Sequence, residues 1–282
     1  MRNRILAGLG VAALATVGVA APATAVSPTT ADIWVVHAVP GVEVDVYING
    51  NLAIAGFDPT TVTPLVDVAP GNYVVDIVPA ATPAAETITP GTGLFGTGAG
   101  GAAIAANTSY TLVAHPDADG DFVLTPFVND LSAAGAGNAS VTVRHTAEAP
   151  AVNVVALPST TLFPNVVNGT GGTVSVPAGT YDLQVQVAGT DPVVVAIDAP
   201  DTALNAGTHY FLHAYGPVEG AYSIIPFTIG DAAAGIPAGS AGLVADNAAP
   251  VGGFAAAGAA ALLALLAAAG VVIMRRRAAA ER

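Results

Sequence analysis

The sequence has no cysteine and no lysine, and only 10% of its 282 residues are charged. The absence of cysteine excludes a lipid-modified N-terminal cysteine, and it fits an exported chain that dispenses with disulfides. The 32 glycines and 21 prolines interrupt the remaining sequence, which disfavours long core helices. The composition therefore predicts a β-rich body, and the length allows one large domain or two of ordinary size.

Positive charge is nearly absent from the middle of the chain. The basic residues are seven arginines, six of them near the two ends: Arg2, Arg4, Arg275, Arg276, Arg277 and Arg282. Between residues 26 and 250, 19 Asp and Glu face Arg144 alone, a formal charge of 1 − 19 = −18. Affinity for nucleic acid depends on basic residues that release counterions from phosphates. The charge balance therefore excludes nucleic acid as a partner.

The N-terminus has the pattern of a secretory signal peptide. Arg2 and Arg4 precede an apolar run from residue 5 to 21, and Ala23-Thr24-Ala25 follows as a small-residue cleavage site. We expect cleavage after Ala25, so that residues 1–25 are removed. The alternative is a first transmembrane helix, which the short apolar run disfavours.

The C-terminus has the pattern of a membrane anchor. Residues 252–274 are 23 uncharged residues, about 34 Å as a helix. Three arginines follow, and positive residues favour the cytoplasmic side. We therefore expect a single-pass protein of the cell membrane with its ectodomain outside and residues 275–282 in the cytoplasm. The alternative is an Ala-rich helix on the protein surface.

Residues 232–251 are rich in Ala, Gly and Pro and are typical of a linker. Within them, Ile236-Pro237-Ala238-Gly239-Ser240 is faintly similar to a sortase signal (Leu-Pro-x-Thr-Gly). The match lacks the Leu, the Thr and the final Gly of that signal. We therefore expect retention in the membrane rather than transfer to the cell wall.

The body of the chain contains an internal repeat. Residues match at an offset of 108 early in the repeat and at an offset of 100 later, in pairs that include Val35/Val143, His37/His145, Gly71/Gly179, Tyr73/Tyr181, Tyr110/Tyr210, Pro126/Pro226 and Phe127/Phe227. The repeats span residues 32–130 and 140–231, and the eight extra residues of the first fall in a Gly-rich surface loop between Ile77 and Ile104. We expect each repeat to fold by itself.

Each repeat has the pattern of short strands with turns between them. The segment from Val42 to Asn49 alternates apolar and polar residues and ends at Asn49-Gly50, a hairpin signal. Gly71 and Gly179 each precede a Tyr-led strand, and we expect them to have positive φ. The fold predicted is all-β, with two tandem antiparallel β-sandwich domains of immunoglobulin-like or prealbumin-like type and a C-terminal transmembrane helix.

These motifs resemble an exported bacterial family known as domain of unknown function 4397. The first repeat has His37-Ala38-Val39-Pro40 and then Val44-Asp45-Val46-Tyr47, and the second has Pro177-Ala178-Gly179-Thr180-Tyr181. The second departs from the pattern at Asn153 and Val155, where the family has Asp and Tyr. The resemblance implies a surface-exposed β-sandwich with no established activity.

Two sets of residues are candidates for metal binding. Asp117, Asp119 and Asp121 alternate as at the start of a calcium loop, but the Gly and Glu required later in that loop are missing. They form the one calcium candidate. Histidines are weaker candidates: His37 and His145 at matched positions are more typical of structural roles. His209 and His213 lie about 13 Å apart on a strand and cannot share a metal.

Motifs for catalysis are absent or incomplete. The residues from Gly91 to Gly96 have the glycine spacing of a dinucleotide-binding motif, but further glycines follow where that motif needs a helix. The Gly-x-Ser-x-Gly motif of serine hydrolases does not occur. We expect no enzyme and no cofactor. The function predicted is a non-catalytic, membrane-anchored stalk or interaction module for an extracellular protein or glycan. Its alternatives are a carbohydrate-binding module, which would use exposed rings among Trp34, Tyr47, Tyr73, Tyr181, Tyr210 and Tyr215, and more weakly an envelope hydrolase.

Overall fold

The protein is all-β in the part of the chain that the computed structural model describes, residues 26–81, 83–216 and 221–230. Within these residues it forms eighteen strands and no helix. The strands are β1 (Ala31–His37), β2 (Val44–Ile48), β3 (Asn51–Phe57), β4 (Val62–Val68), β5 (Gly71–Tyr73), β6 (Val75–Pro79), β7 (Phe95–Gly96), β8 (Ala102–Ile104), β9 (Thr108–Pro116), β10 (Phe122–Val128), β11 (Asn138–His145), β12 (Val152–Ala156), β13 (Thr160–Val166), β14 (Gly171–Pro177), β15 (Gly179–Val187), β16 (Val195–Leu204), β17 (Thr208–Tyr215) and β18 (Ser223–Gly230).

Four four-stranded sheets form two pairs with matching strand orders. The first pair has orders β10-β9-β1-β4 and β3-β2-β6-β7, and the second has β14-β11-β17-β18 and β13-β12-β15-β16. A small sheet, β5-β8, accompanies the first pair. In each pair the sheets enclose an apolar core, built around Val35, Val46 and Leu112 in the first and around Val143, Val154 and Leu212 in the second. This arrangement is consistent with the predicted sandwiches.

The prediction that the sheets are antiparallel is wrong for one strand pair in each sheet pair. β1 pairs with β9 in parallel, and β11 pairs with β17 in parallel. Alternation of apolar and polar residues identifies a strand and its buried face, but it carries no information about the direction of the neighbouring strand. Long-range parallel pairing therefore had no local signal in the sequence.

The two sheet pairs pack against each other. A third apolar cluster joins Val36 and Val113 of the first pair to Ile225 and Phe227 of the second. We call β10-β9-β1-β4 and β14-β11-β17-β18 the inner sheets and the other two four-stranded sheets the outer sheets. The described residues thus form four stacked layers, in the order outer, inner, inner, outer.

Strand periodicity explains how one inner sheet serves two cores. Successive side chains of a strand point to opposite faces. In β1, Ile33 and Val35 face the core of the first pair, while Val36 faces the second pair. Because both faces are covered, β9 and β11 are buried along most of their length. This pattern is typical of sheets covered on both sides.

The hairpin predicted at Asn49-Gly50 is confirmed. β2 and β3 are joined there, with Ile48 opposite Asn51. Asn49 has φ 50° and Gly50 has φ 80°, the two positive values that a type I′ turn needs. The Asn-Gly turn signal and the alternation of apolar and polar residues along β2 both indicate this hairpin, so the sequence could predict it.

Several predicted segments fall outside the described residues. They are the signal peptide (1–25), the linker (232–251), the anchor (252–274) and the cytoplasmic tail (275–282). Among the described residues, no helix has the length and apolar character needed to cross a bilayer. The boundaries 32–130 and 140–231 of the repeats remain predictions.

Candidate functional site between the two sheet pairs

The space between the inner sheets holds the most distinctive side chains of the protein. We call it the contact layer, and its principal residues are Trp34, Val36, Val113, Phe127, Asn129, Arg144, Phe211, His213, Ile225 and Phe227. Phe227 stacks on Trp34 and on Phe211, with ring centroids 4.8 Å apart in both cases. The single tryptophan of the chain therefore packs across the boundary between the two sheet pairs.

Arg144 lies at the centre of the contact layer. It is the only basic residue between residues 26 and 250 that is not a histidine, and its side chain is 3% exposed. Its guanidinium carbon lies 4.6 Å from the ring centre of Phe127 and 5.3 Å from that of Phe211. These cation–π contacts join β11 to β10 and to β17.

The hydrogen-bond partners of Arg144 are neutral. Its Nη2 donates to Oδ1 of Asn129 at 2.6 Å, and its Nη1 lies 3.2 Å from Nε2 of His213. Burial lowers the pKa of Arg144 to about 9, so the group stays charged at neutral pH. The cation is held by dipoles and aromatic rings, and no carboxylate is among its described contacts.

Asn129 connects Arg144 to the first sheet pair. Its Oδ1 also accepts from Oγ1 of Thr111 at 2.8 Å, and its Nδ2 donates to Oγ of Ser109 at 2.9 Å. Arg144 lies on β11 of the second sheet pair, so this hydrogen-bond network crosses the boundary between the two pairs. Asn168 adds a second crossing, because its Nδ2 donates to the carbonyls of Pro116 and Ala147.

His213 is neutral, and Arg144 fixes its tautomer. A guanidinium has donors and no acceptor, so Nε2 of His213 must accept the hydrogen bond from Arg144. Nδ1 then carries the hydrogen and faces the carbonyl of Ile225 at 3.3 Å. Burial, reinforced by the charge of Arg144, lowers the pKa of His213 to about 3.

The other histidines are also buried. His37 and His145 make matched contacts from Nε2, to the carbonyl of Val42 at 2.8 Å and to that of Pro150 at 2.9 Å. Burial lowers the pKa of both. These contacts support the structural role that the sequence indicated. His209 and His213 lie on one strand, β17. The prediction that they do not share a metal assumed this placement.

One hydroxyl–imidazole pair has the chemistry of a hydrolase nucleophile and base. Oγ1 of Thr125 lies 2.8 Å from Nε2 of His115, and Nδ1 of His115 faces the carbonyl of Pro116 at 2.8 Å. His115 is fully buried, and neither cavity described below is lined by it or by Thr125. The imidazole of this pair is buried and the hydroxyl is half-buried, which does not give the pair the open geometry of an active site.

The calcium candidates lie together in the turn between β9 and β10. Oδ1 of Asp117 accepts from the backbone N–H groups of Asp119 and Asp121, both at 2.9 Å. The carboxylate thus stabilises the turn itself, a usual role of Asp in turns. Among the described residues, no group of three or more His, Cys, Asp or Glu is placed to hold a metal ion. Calcium at Asp117, Asp119 and Asp121 remains a prediction.

The prediction of positive φ at Gly71 and Gly179 is wrong. Both glycines lie in extended strands, β5 and β15, and neither is among the positive-φ glycines of the described chain. Their neighbours explain the motif instead: the hydroxyl of Tyr73 donates to the carbonyl of Ala69, and that of Tyr181 donates to the carbonyl of Pro177. Each Tyr ring folds back over its glycine, as in the tyrosine corner of other β-sandwiches.

We therefore expect Gly179→Ala to be tolerated. A Cβ at this position would lie 3.8 Å from the ring of Tyr181, an ordinary contact distance. The free energy of unfolding should change by less than about 0.5 kcal/mol. Tyr181→Phe, which removes the corner hydrogen bond, should lower it by about 1 kcal/mol. Urea denaturation of both variants measures this, and a larger loss for Gly179→Ala than for Tyr181→Phe would contradict the assignment.

The extra residues of the first repeat cover its outer sheet. Oδ1 and Oδ2 of the buried Asp76 accept from the N–H groups of Gly93 and Gly91 at 2.9 Å each. The hydroxyl of Tyr47 donates to the carbonyl of Ala85 at 2.8 Å. The Gly-rich loop is thus fixed to the sheet. In the second repeat, Gln184 occupies the position of Asp76 and donates to Asp198 on the exposed face of its sheet.

We expect Asp76→Ala to release this loop. The change leaves two N–H groups without the charged acceptor, and hydrogen bonds to charged groups contribute about 1.5–3 kcal/mol. Hydrogen exchange of Gly91 and Gly93 should accelerate at least tenfold, by an estimate from that energy. Gln184→Ala, at the matched position of the second repeat, should leave exchange in its sheet unchanged. Unchanged exchange at Gly91 and Gly93 in Asp76→Ala would contradict the role of this carboxylate.

Two cavities lie among the described residues. A small apolar cavity of about 40 Å³ lies inside the second sheet pair, beside Val154, Leu183 and Ile197. A cleft of about 490 Å³ lies where the two sheet pairs meet, with Ser109, Asn129 and His209 among its lining residues. The cleft is large enough for a small ligand. Its polar groups Ser109 and Asn129 hydrogen-bond to each other.

The aromatic residues that a carbohydrate-binding module would use are engaged in packing. Trp34 stacks on Phe227, and Tyr47 is 1% exposed. Tyr73 and Tyr181 form the corners, and the hydroxyl of Tyr210 accepts from the backbone N–H of Asn205. Tyr215 packs against the apolar cluster of the contact layer. All six candidate side chains are buried or half-buried.

Sequence reasoning missed the contact layer. Its signal was the departure of the second repeat from the first: Arg144 stands where the first repeat has Val36, and His213 stands where it has Val113. A charged residue replacing valine on a predicted strand, in a body otherwise without Lys or Arg, indicates a specific buried contact. Which residues it meets depends on long-range packing that the local pattern does not contain.

Comparison with known proteins gives a family match over part of the chain and several solved structures that align with it. No curated protein matches the chain. A crystal structure of a candidate cell adhesion protein from Parabacteroides distasonis aligns with 10% sequence identity, covering 72% of this chain and 97% of that chain, with a TM-score of 0.20. Residues 31–155, from β1 to near the end of β12, match the model of the family described as domain of unknown function DUF4397, which supports the resemblance seen in the sequence.

Proposed function

We propose that this protein is a non-catalytic cell-surface protein, a membrane-anchored stalk or interaction module that presents layered β-sandwiches outside the cell. The observation that carries the proposal is the use of its chemically versatile side chains. All five histidines are at most 2% exposed, and Arg144 is buried among rings and neutral dipoles. These side chains pack inside the fold and are not presented at its surface.

The surface charge restricts the class of partner. In the described part of the chain, Arg144 is the one Lys or Arg and it is buried, so the exposed charged side chains are carboxylates. Such a surface repels nucleic acid and other polyanions. The proposed partner is an extracellular protein or glycan that is neutral or cationic. The packing of the aromatic residues disfavours a glycan held by stacked rings.

The location rests on the sequence at the two ends. The Arg-led apolar segment with Ala25 at its cleavage site directs export, and residues 252–274 followed by three arginines anchor the chain with its C-terminus inside. We also infer that residues 140–231 are a diverged second copy of the family domain. Matched strand orders and matched contacts of His37 and His145 support that inference.

Protease treatment of intact cells tests the location. Protease added from outside should remove almost the whole chain and leave a short membrane fragment that carries residues 275–282. Deletion of residues 252–282 should move the protein into the medium. Full protection of residues 26–250 in intact cells, with digestion only after lysis, would contradict the proposal.

A further inference from the structure

The contact between Arg144 and His213 combines a permanent cation with a group that gains a charge in acid. Their nitrogens are 3.2 Å apart, and His213 is fully buried. Nε2 of His213 accepts the hydrogen bond because the guanidinium cannot. A proton on Nε2 would therefore remove this hydrogen bond and place two cations side by side.

The surroundings of His213 offer no compensating negative charge. From β11 it meets Arg144, and from β18 it meets the ring of Phe227, 5.6 Å between centroids, and the carbonyl of Ile225. From β9 the charged form would be opposed by the buried His115, and β10 contributes the apolar ring of Phe127 beside Arg144. No Asp or Glu side chain is among the described contacts of either group.

The first repeat shows what the same positions look like without this chemistry. Its matched residues are Val36 and Val113, which lie in the apolar cluster of the contact layer. The ionisable pair thus faces the space between two sheets that are also joined by apolar and aromatic contacts and by the hydrogen bonds of Asn129 and Asn168. A second cation buried there would favour opening of the contact layer to water, while the cores within each sheet pair, which lie on the other faces of the inner sheets, keep their own contacts.

We propose that Arg144 and His213, which are neighbours on the same inner sheet, form an acid-released latch. With His213 neutral the contact layer stays closed, and when His213 takes up a proton the two adjacent buried cations drive the inner sheets apart, so that water reaches both. The inference goes beyond the proposed surface role, because it assigns the protein a conformational response to pH.

The direction of the pH dependence follows from linkage. An unburied histidine has a pKa of about 6.5, and burial beside Arg144 lowers that of His213 to about 3. The closed form is therefore fully stable above about pH 6.5, and its stability falls as the pH drops from there towards 3. Between these values, opening takes up one proton at His213 and becomes up to about tenfold more favourable per pH unit.

The sole tryptophan makes the opening measurable in the full-length protein. Trp34 packs on Phe227 across the boundary, so its fluorescence should shift to longer wavelength when the inner sheets separate. On lowering the pH from 7 towards 3, we expect this shift to precede the loss of the far-UV circular dichroism of the strands. Coincident loss of both signals at one pH would overturn the latch.

His213→Gln is the decisive variant. Glutamine keeps a neutral acceptor for Arg144 but cannot take up the proton, so the slope of the logarithm of the opening constant against pH should fall by about one. His37→Gln, which removes a buried histidine away from the contact layer, should leave the slope of the Trp34 transition unchanged. An unchanged slope in His213→Gln would overturn the proposal.

A spectroscopic measurement keeps the proposal falsifiable if His213→Gln does not fold. Nitrogen NMR of the histidine rings in the wild-type protein should show His213 neutral, with the hydrogen on Nδ1, until the Trp34 signal changes. A doubly protonated His213 in protein whose Trp34 fluorescence is still that of the neutral-pH state would contradict the latch.

Discussion

Replacing Arg144 by alanine should lower the free energy of unfolding by about 3–5 kcal/mol, by analogy with large buried side chains truncated to alanine. The change removes the cation between Phe127 and Phe211 and withdraws the donor from Asn129 and His213. The cavity left between the sheets adds to the loss. Urea denaturation followed by Trp34 fluorescence measures the change.

Arg144→Met is the matched control for this prediction. Methionine fills much of the space between the rings, and replacing a buried ion with a well-packed apolar residue is often neutral. We expect this variant to lie within about 1.5 kcal/mol of the wild type. If Arg144→Ala were as stable as Arg144→Met, the side chain would not be packed between Phe127 and Phe211 as described.

Phe211→Ala should have an effect of similar size, a loss of about 3–5 kcal/mol. Phe211 has no exposed surface, and its ring touches both Phe227 and the guanidinium of Arg144. Its truncation leaves a cavity between the inner sheets and removes one of the two rings that hold the cation. The midpoint of thermal or urea unfolding should fall accordingly.

The exposed Leu94 provides the control for Phe211→Ala. It is also a large apolar residue, but 66% of its surface is exposed, so Leu94→Ala should change stability by less than about 0.5 kcal/mol. Equal losses for the two variants would mean that Phe211 is not at the centre of a packed layer.

Local signals predicted the strands, the hairpin at Asn49-Gly50 and the structural role of His37. These features depend on neighbouring residues, such as alternation along β2 and two residues that accept positive φ. The parallel pairing of β1 with β9 depends on residues about 77 positions apart, Ala31 and Thr108, and it has no local signature. The packing of one inner sheet on the other also depends on long-range contacts, so the local sequence pattern did not predict it.

Gly71 and Gly179 show how a pair of matched positions can suggest a wrong cause. Their positions match between the repeats, and glycine before a strand usually indicates a turn. The structure assigns the constraint to the tyrosine two residues later, whose ring covers the glycine and whose hydroxyl reaches back to the chain. Sequence spacing identified the motif, but the side-chain contact that explains it could be seen only in the fold.

A buried contact layer holds the two sheet pairs together, and we propose that both sheet pairs lie outside the cell. Since the chain has no cysteine, single cysteines can be labelled without background. Val113 lies in the contact layer with no exposed surface, and Val128 is 67% exposed. On intact cells at neutral pH, a membrane-impermeant maleimide should label Val128→Cys at once and Val113→Cys only after denaturation. Equal labelling of both variants would contradict the packed layer, and no labelling of Val128→Cys until lysis would contradict the location.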